Sequence, residues 1–190
     1  MSFAVFFLCV LIFYYTYLYE FQVFYLSSSP AFKVLNTTSN IVPQGIEYIE
    51  SDKTFIISGY EFPNGYSKII IVDENGNRFE KSIVNSKGEK FKWHSGGIAC
   101  KGNFVYVTGG NSKCYVLSKK DLLNPENDEI STIGTIKTDS NSSFCFVYGN
   151  CLFIGEYQYR TSFLTDETHH LVSPQGNINT AMVFAYPFSK

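Results

Sequence analysis

The chain has three histidines, His94, His169 and His170. Their ordinary ionisation lies close to neutrality, so a general base or a ligating nitrogen is sought there first. His94-Ser95 stands just ahead of the apolar run Ile98-Ala99-Cys100. Pro43-Gln44 and Asn141-Ser142 stand at corresponding places ahead of two other apolar runs. His169-His170 falls in a polar stretch between Tyr157 and Asn179. If each apolar run is the first strand of a sheet, the loops leading into those strands share one face with the loops that join second to third strands. Gln44, His94, Ser95, Asn141, His169 and His170 are therefore the candidate ligand-binding set. The competing reading is structural: His94 bonds a neighbouring sheet, and the other two histidines are solvated loop residues.

Familiar catalytic arrangements are missing. Asp166-Glu167 precede His169, yet adjacent loop residues rarely converge on one ion, and hard cations want several oxygens at once. Cysteine and histidine spacings do not match a zinc site. Gly109-Gly110 lies between two apolar runs and reads as a hairpin rather than a phosphate loop. There is no Gly-x-Ser-x-Gly elbow. No catalytic residue, metal ligand or cofactor is assigned. Trp93, the single tryptophan, adjoins His94 and is read either as a packing anchor or as part of a binding surface.

The elements that would carry these residues repeat roughly every 47–52 residues. Gly96-Gly97-Ile98-Ala99-Cys100-Lys101-Gly102-Asn103 aligns with Ser143-Phe144-Cys145-Phe146-Val147-Tyr148-Gly149-Asn150. Phe104-Val105-Tyr106-Val107-Thr108-Gly109 then aligns with Cys151-Leu152-Phe153-Ile154-Gly155-Glu156. A looser copy is Gln44-Gly45-Ile46-Glu47-Tyr48-Ile49, a turn, then Thr54-Phe55-Ile56-Ile57-Ser58-Gly59. A β-rich repeat of this period is a propeller-blade signature. The fold expected is all-β: about three four-stranded antiparallel blades, an incomplete propeller, behind an N-terminal hydrophobic helix. The blades occupy about 43–90, 91–138 and 139–190.

Alternation places the strands. Blade 1 has Gly45–Ile49, Phe55–Gly59, Lys68–Val72 and Arg78–Val84, with a type I′ hairpin turn predicted at Asn75-Gly76. Blade 2 has Gly97–Cys100, Phe104–Thr108, Cys114–Leu117 and Ile130–Ile136, with a short helical turn before Pro125. Blade 3 has Phe144–Tyr148, Leu152–Glu156 and, after a long loop, Ala181–Tyr186; Lys190 falls where its outer strand would begin. Phe32–Leu35 is a further short strand candidate. About three blades do not close a ring. A truncated copy, a homodimer that completes a ring and an open array are the three resolutions.

The runs Pro43-Gln44-Gly45-Ile46, Ile57-Ser58-Gly59-Tyr60 and Ser67-Lys68-Ile69-Ile70-Ile71-Val72-Asp73 carry a resemblance. His94-Ser95-Gly96-Gly97-Ile98-Ala99 and Val105-Tyr106-Val107-Thr108-Gly109 extend it. Over about residues 41–156 the chain resembles secreted six-bladed propellers of the gluconolactonase-like, paraoxonase-like and strictosidine-synthase-like superfamily. Such proteins often hold calcium in a central channel with Glu, Asp and Asn. Here Glu47 has Ala99 and Phe146 at the aligned positions, so the resemblance carries over no metal ligand and no catalytic residue.

Residues Ser2 to Tyr19 are uncharged and strongly apolar. Residues 1–27 are therefore read as a transmembrane signal anchor or a signal peptide, with Ser29-Pro30-Ala31 as a cleavage candidate and 28–42 as a linker. Tyr14, Tyr15, Tyr17 and Tyr19 suit a membrane interface. The domain at 43–190 is placed outside the cytosol, extracellular or lumenal, or secreted. Asn36 and Asn141 head two glycosylation sequons. Cys100, Cys114, Cys145 and Cys151 are compatible with two disulfides or with buried thiols, but Cys145 and Cys151 point to opposite faces and do not pair. Net charge is −2 and pI near 5.9, with no basic cluster, so no nucleic-acid partner is expected. The expected function is a membrane-anchored or secreted propeller-like binding or interaction module; the alternative is a lactonase- or esterase-like hydrolase, or a remnant of one.

Overall fold

In the computed structural model, residues 5–9, 11–12, 21, 24, 26–29 and 40–188 are described. The chain divides into two compact units, Met1–Asn36 and Thr37–Lys190. In the first, residues 5–9, 11–12, 21, 24 and 26–27 are helical. Among the described residues no helix is long and apolar enough to cross a membrane. Much of the expected span over 1–27, together with Pro30, Ala31, the Phe32–Leu35 strand and the Asn36 sequon, lies outside the described residues.

The second unit is built from β-sheets. The first sheet begins with β1 (Ile41–Ile49), β2 (Thr54–Glu61), β3 (Tyr66–Val72) and β4 (Arg78–Val84), antiparallel in chain order. The second begins with β5 (Ile98–Lys101), β6 (Phe104–Thr108) and β7 (Lys113–Ser118). A five-residue helix, Lys119–Leu123, follows β7, with the Ser118 side chain accepting from the Asp121 N–H at its start. Then come β8 (Glu129–Ser131) and β9 (Gly134–Lys137). The third sheet holds β10 (Phe144–Tyr148), β11 (Cys151–Gly155) and β14 (Val183–Pro187). Between β11 and β14 lie a 3-10 turn, Glu167–His169, and a small hairpin of β12 (Leu171–Val172) and β13 (Ile178–Asn179).

The two strand faces explain the composition. Ile98, Val105, Val107 and Leu117 point to one side of the second sheet and pack with Ile49, Ile56, Ile69, Ile71 and Ile83 of the first. Ala99, Tyr106 and Cys114 point to the other side and pack with Cys145, Leu152 and Ile154 of the third. A strand buried on both faces reads as a continuous apolar run, as Phe104–Thr108 does. Each fully buried Ile, Leu or Val contributes about 1.5–3 kcal/mol of transfer free energy. The three sheets are thus layered, and β1 neighbours β5, which neighbours β10.

Three expectations are corrected. The segment Ile130–Ile136, expected as one outer strand of the second sheet, splits at Thr132-Ile133. Its first part, β8, pairs parallel with β4 through Ser82–Glu129 and Val84–Ser131, and β9 pairs antiparallel with β7. The Ile130 side chain enters the apolar layer between the first two sheets, which draws β8 to β4. The first sheet consequently holds five strands rather than four, the second and third hold the four and three expected, and among the described residues no sheet is closed. Finally, Asn75-Gly76 does not form a two-residue type I′ turn. Only Gly76 has positive φ (81°); the Asp73 N–H donates to Asn77 O, the Gly76 N–H donates to Asp73 O, and Asp73 Oδ1 accepts from Asn75 and Asn77. The aspartate side chain stabilises the longer hairpin loop. Backbone bonds of the same pattern close Asn85–Glu89 and Ser173–Asn177.

Candidate functional site

One cavity of about 740 Å³ gathers loops from all three sheets. Gln44 comes from β1, beside a register shift between Pro43 and Gly45. Trp93, His94 and Gly96 come from the segment before β5, and Gly109, Gly110 and Asn111 from the β6–β7 turn. Asn141, Ser142 and Ser143 precede β10, Phe144 begins it, and Tyr157 and Phe163 come from the loop after β11. These are the ends at which the sequence placed its candidates, and Gln44, His94 and Asn141 do meet there.

Small residues let the layers approach. A Cβ on Gly97 would sit 2.3 Å from Cys145 N and 2.7 Å from Phe144 Cα, so only glycine fits. Thr108 Oγ1 accepts from the Gly97 N–H at 2.7 Å and fixes that crossing. Across the next interval the Gly110 N–H donates to Ser142 O at 3.3 Å, and the Asn111 N–H donates to Asn141 Oδ1 at 3.0 Å. The second and third sheets are therefore tied at the rim of the cavity by backbone-directed bonds.

The walls are aromatic and uncharged. Trp93 stacks on Tyr115 with ring centroids 4.5 Å apart and 10° between planes, and meets Phe91 at 3.9 Å. It packs as an anchor and also lines the cavity. Its Nε1 is buried with no hydrogen-bond partner. His94 is exposed and stacks on Tyr60 at 4.0 Å and 5°. The Phe144 ring occupies the space above Gly155, while Tyr157 and Phe163 lie 6.0 Å apart at 54°, 53% and 49% exposed. No Lys, Arg, Asp or Glu lines the cavity.

The other candidates fall elsewhere. Ser95 is fully buried beneath the rim, and its Oγ has no partner. His170 Nε2 lies 3.0 Å from Thr165 Oγ1, whose single proton is shared among His170 Nε2, Gln158 Oε1 and the Thr180 carbonyl, all within hydrogen-bond distance. His169 Nδ1 meets both carboxylate oxygens of Glu156 at 2.9 and 3.0 Å. Asp166 Oδ1 accepts from the Thr168 hydroxyl and from the Thr168 N–H at the start of the 3-10 turn, and this bonding, the hydroxyl first, holds its carboxyl below the usual range. Asn141 is half-buried, and its N–H donates to Glu156 Oε1 at 3.3 Å.

Glu156 is the residue that sequence reasoning missed. Its side chain is 2% exposed, and Oε2 also accepts from the Met182 N–H at 3.2 Å. One signal was legible: a carboxylate closes an apolar strand at the position where the aligned copy has Gly109.

Among the described residues no three His, Cys, Asp or Glu side chains are grouped to hold a metal ion. Cys100, Cys114, Cys145 and Cys151 are all unpaired thiols. Cys145 faces the layer shared with Cys114, whereas Cys151 lies opposite Tyr148 on the other face.

Fold and cavity together define an all-β unit of layered antiparallel sheets with an uncharged, aromatic-walled cleft at one end. No family model matches the chain, and no curated protein matches it.

Proposed function

We propose that residues 37–190 form a propeller-like binding module that holds its ligand in the cleft at Gln44, His94 and Asn141. The observation that carries this reading is convergence: three successive sheets send uncharged hydrogen-bonding and aromatic side chains to one cavity. Rigid sheets presenting loops at one end are a common way to build a binding site. The propeller reading is supported by the succession of β1, β5 and β10 as neighbouring first strands, and by the resemblance of residues 41–156 to six-bladed propellers. The face of the third sheet turned away from Cys145 exposes Phe144, Phe146 and Tyr148, which suits a second copy completing the ring. The uncharged run Ser2–Tyr19 supports delivery through the secretory route, with the module outside the cytosol and either anchored or released.

A fragment screen by saturation-transfer NMR on the full chain tests the module. Fragments should bind the parent protein and lose their signals in Phe163→Ala. Signals equal in both proteins would sink the cleft as the binding site.

A second reading is a propeller hydrolase. The observation in its favour is the Glu156–His169 pair, because a carboxylate on Nδ1 orients an imidazole so that Nε2 can accept a proton. Turnover of nitrophenyl esters or lactones that vanishes in His169→Ala would establish it, and absence of turnover in the parent protein would remove it.

A further inference from the structure

We infer that the cleft selects a neutral saccharide; this rests on the binding-module reading and names its ligand class. Three observations lead there.

The first is charge. No carboxylate, ammonium or guanidinium lines the cavity, so a cationic ligand entering it would leave its hydration shell and find no counter-charge, and an anionic one would meet only the exposed imidazole of His94. Neutral ligands avoid that cost.

The second is the pairing of free donor and acceptor. Gln44 donates one Nε2 hydrogen to the Pro43 carbonyl at 3.1 Å, which leaves Oε1 as an open acceptor beside the second N–H. Asn141 Oδ1 accepts the Asn111 N–H, and its Nδ2 remains an open donor. A hydroxyl group both donates and accepts, so a ligand rich in hydroxyls satisfies both amides at once. Sites built to bond hydroxyls reject analogues that lack them, because their own polar groups then stay unpaired.

The third is the set of ring faces. Tyr157 and Phe163 are half-exposed at the mouth, and His94 lies flat on Tyr60. Aromatic faces carry negative potential, which favours the C–H-bearing side of a pyranose. The volume, about 740 Å³, lies within the range of small-ligand sites. A peptide is the less suitable occupant, because the backbone donors at the rim, Gly110 N–H and Asn111 N–H, are already bonded within the protein. A main chain would find no strand edge there to extend.

The test is a printed array of neutral and acidic glycans probed with the full chain, followed by titration of the best glycan against the emission of Trp93, the single tryptophan in the chain. Retention of neutral glycans is expected, with a saturable change in Trp93 emission and affinity reduced about tenfold in Gln44→Ala and in Phe163→Ala. Both positions are exposed, and circular dichroism should show that both variants fold as the parent does. Retention of acidic glycans only, no retention at all, or binding that both variants keep would overturn the assignment. Fragments or a proline-rich peptide that perturb Trp93 while no glycan binds would overturn the saccharide class and leave the binding cleft standing. His169-dependent ester turnover would overturn both.

Discussion

His169 Nδ1 lies 2.9 and 3.0 Å from the two oxygens of a Glu156 carboxylate that is almost entirely buried. That carboxylate also accepts from the backbones of Asn141 and Met182. One side chain therefore ties together the end of β11, the segment before β10, the 3-10 turn and the approach to β14. Tyr157 and Phe163 stand on the loop so anchored, and the shape of the cleft mouth depends on a group that does not line it.

Removal of the anchor should loosen the loop. Glu156→Ala deletes a buried carboxylate bonded to three partners, the Asn141 and Met182 N–H groups and His169 Nδ1, with an expected loss of about 2–4 kcal/mol in stability. Urea unfolding measures the loss. Hydrogen exchange over 157–182 should accelerate in the variant while β6 and β7 stay protected; unchanged exchange in that loop would show that Glu156 does not hold it.

The crossing at Gly97 should tolerate no side chain. In Gly97→Ala the added methyl meets the backbone of Phe144 and Cys145, which cannot swing aside. A loss of at least about 3 kcal/mol, or failure to fold, is expected. Gly134→Ala is the control, since its Cβ would meet only the Val116 side chain at 3.7 Å. Comparable thermal midpoints for the two variants would contradict the close approach of β5 and β10.

Two thiols should resist alkylation. A hydrogen bond with the Cys114 thiol, followed by burial, pushes the Cys145 thiol well above its ordinary value. The thiolate is the reactive form, and Cys114 itself is fully buried. Iodoacetamide at about pH 8 should modify the half-buried Cys151 in the native protein and leave Cys114 and Cys145 untouched until denaturant is added. Peptide mass spectrometry reads the outcome. Early labelling of Cys145 would mean that the layer between the second and third sheets opens readily.

Glu47 should make stability depend on pH. Burial raises its carboxyl above the usual range, against the opposing pull of hydrogen bonds from the Tyr48 and Cys100 backbone. A raised value in the folded protein means that folding favours the protonated form. Stability from this group is full below the ordinary carboxylate value and is lost as pH climbs through the raised one. Glu47→Gln removes that slope. The variant should match the parent near about pH 3.5 and exceed it near about pH 7. Identical thermal midpoints at both pH values would count against a desolvated Glu47.

The strands Arg78–Val84, Phe104–Thr108 and Phe144–Tyr148 were readable to the residue, because alternating apolar side chains and the turns beside them are local signals. The helical turn before Pro125 was readable for the same reason. Partner choice was not. Ile130–Ile136 looks like one strand, and only the apolar layer reached by Ile130 assigns β8 to β4, while β9 joins β7. Nor could alternation separate Asn75-Gly76 from a type I′ turn, since the Asp73 side chain decides the loop by bonding two residues beyond it.

The sequence by itself determined that the chain is all-β, which runs are strands, and which ends of those strands carry Gln44, His94 and Asn141. Period-two alternation and turn residues act over a few positions, so they are legible without a fold. Only the tertiary structure decided that those three side chains share one uncharged cavity, that Ser95 is sealed beneath it, and that Glu156 takes His169 away from it. Those outcomes depend on how closely whole sheets approach, and that distance is set by the summed packing of residues far apart in the chain.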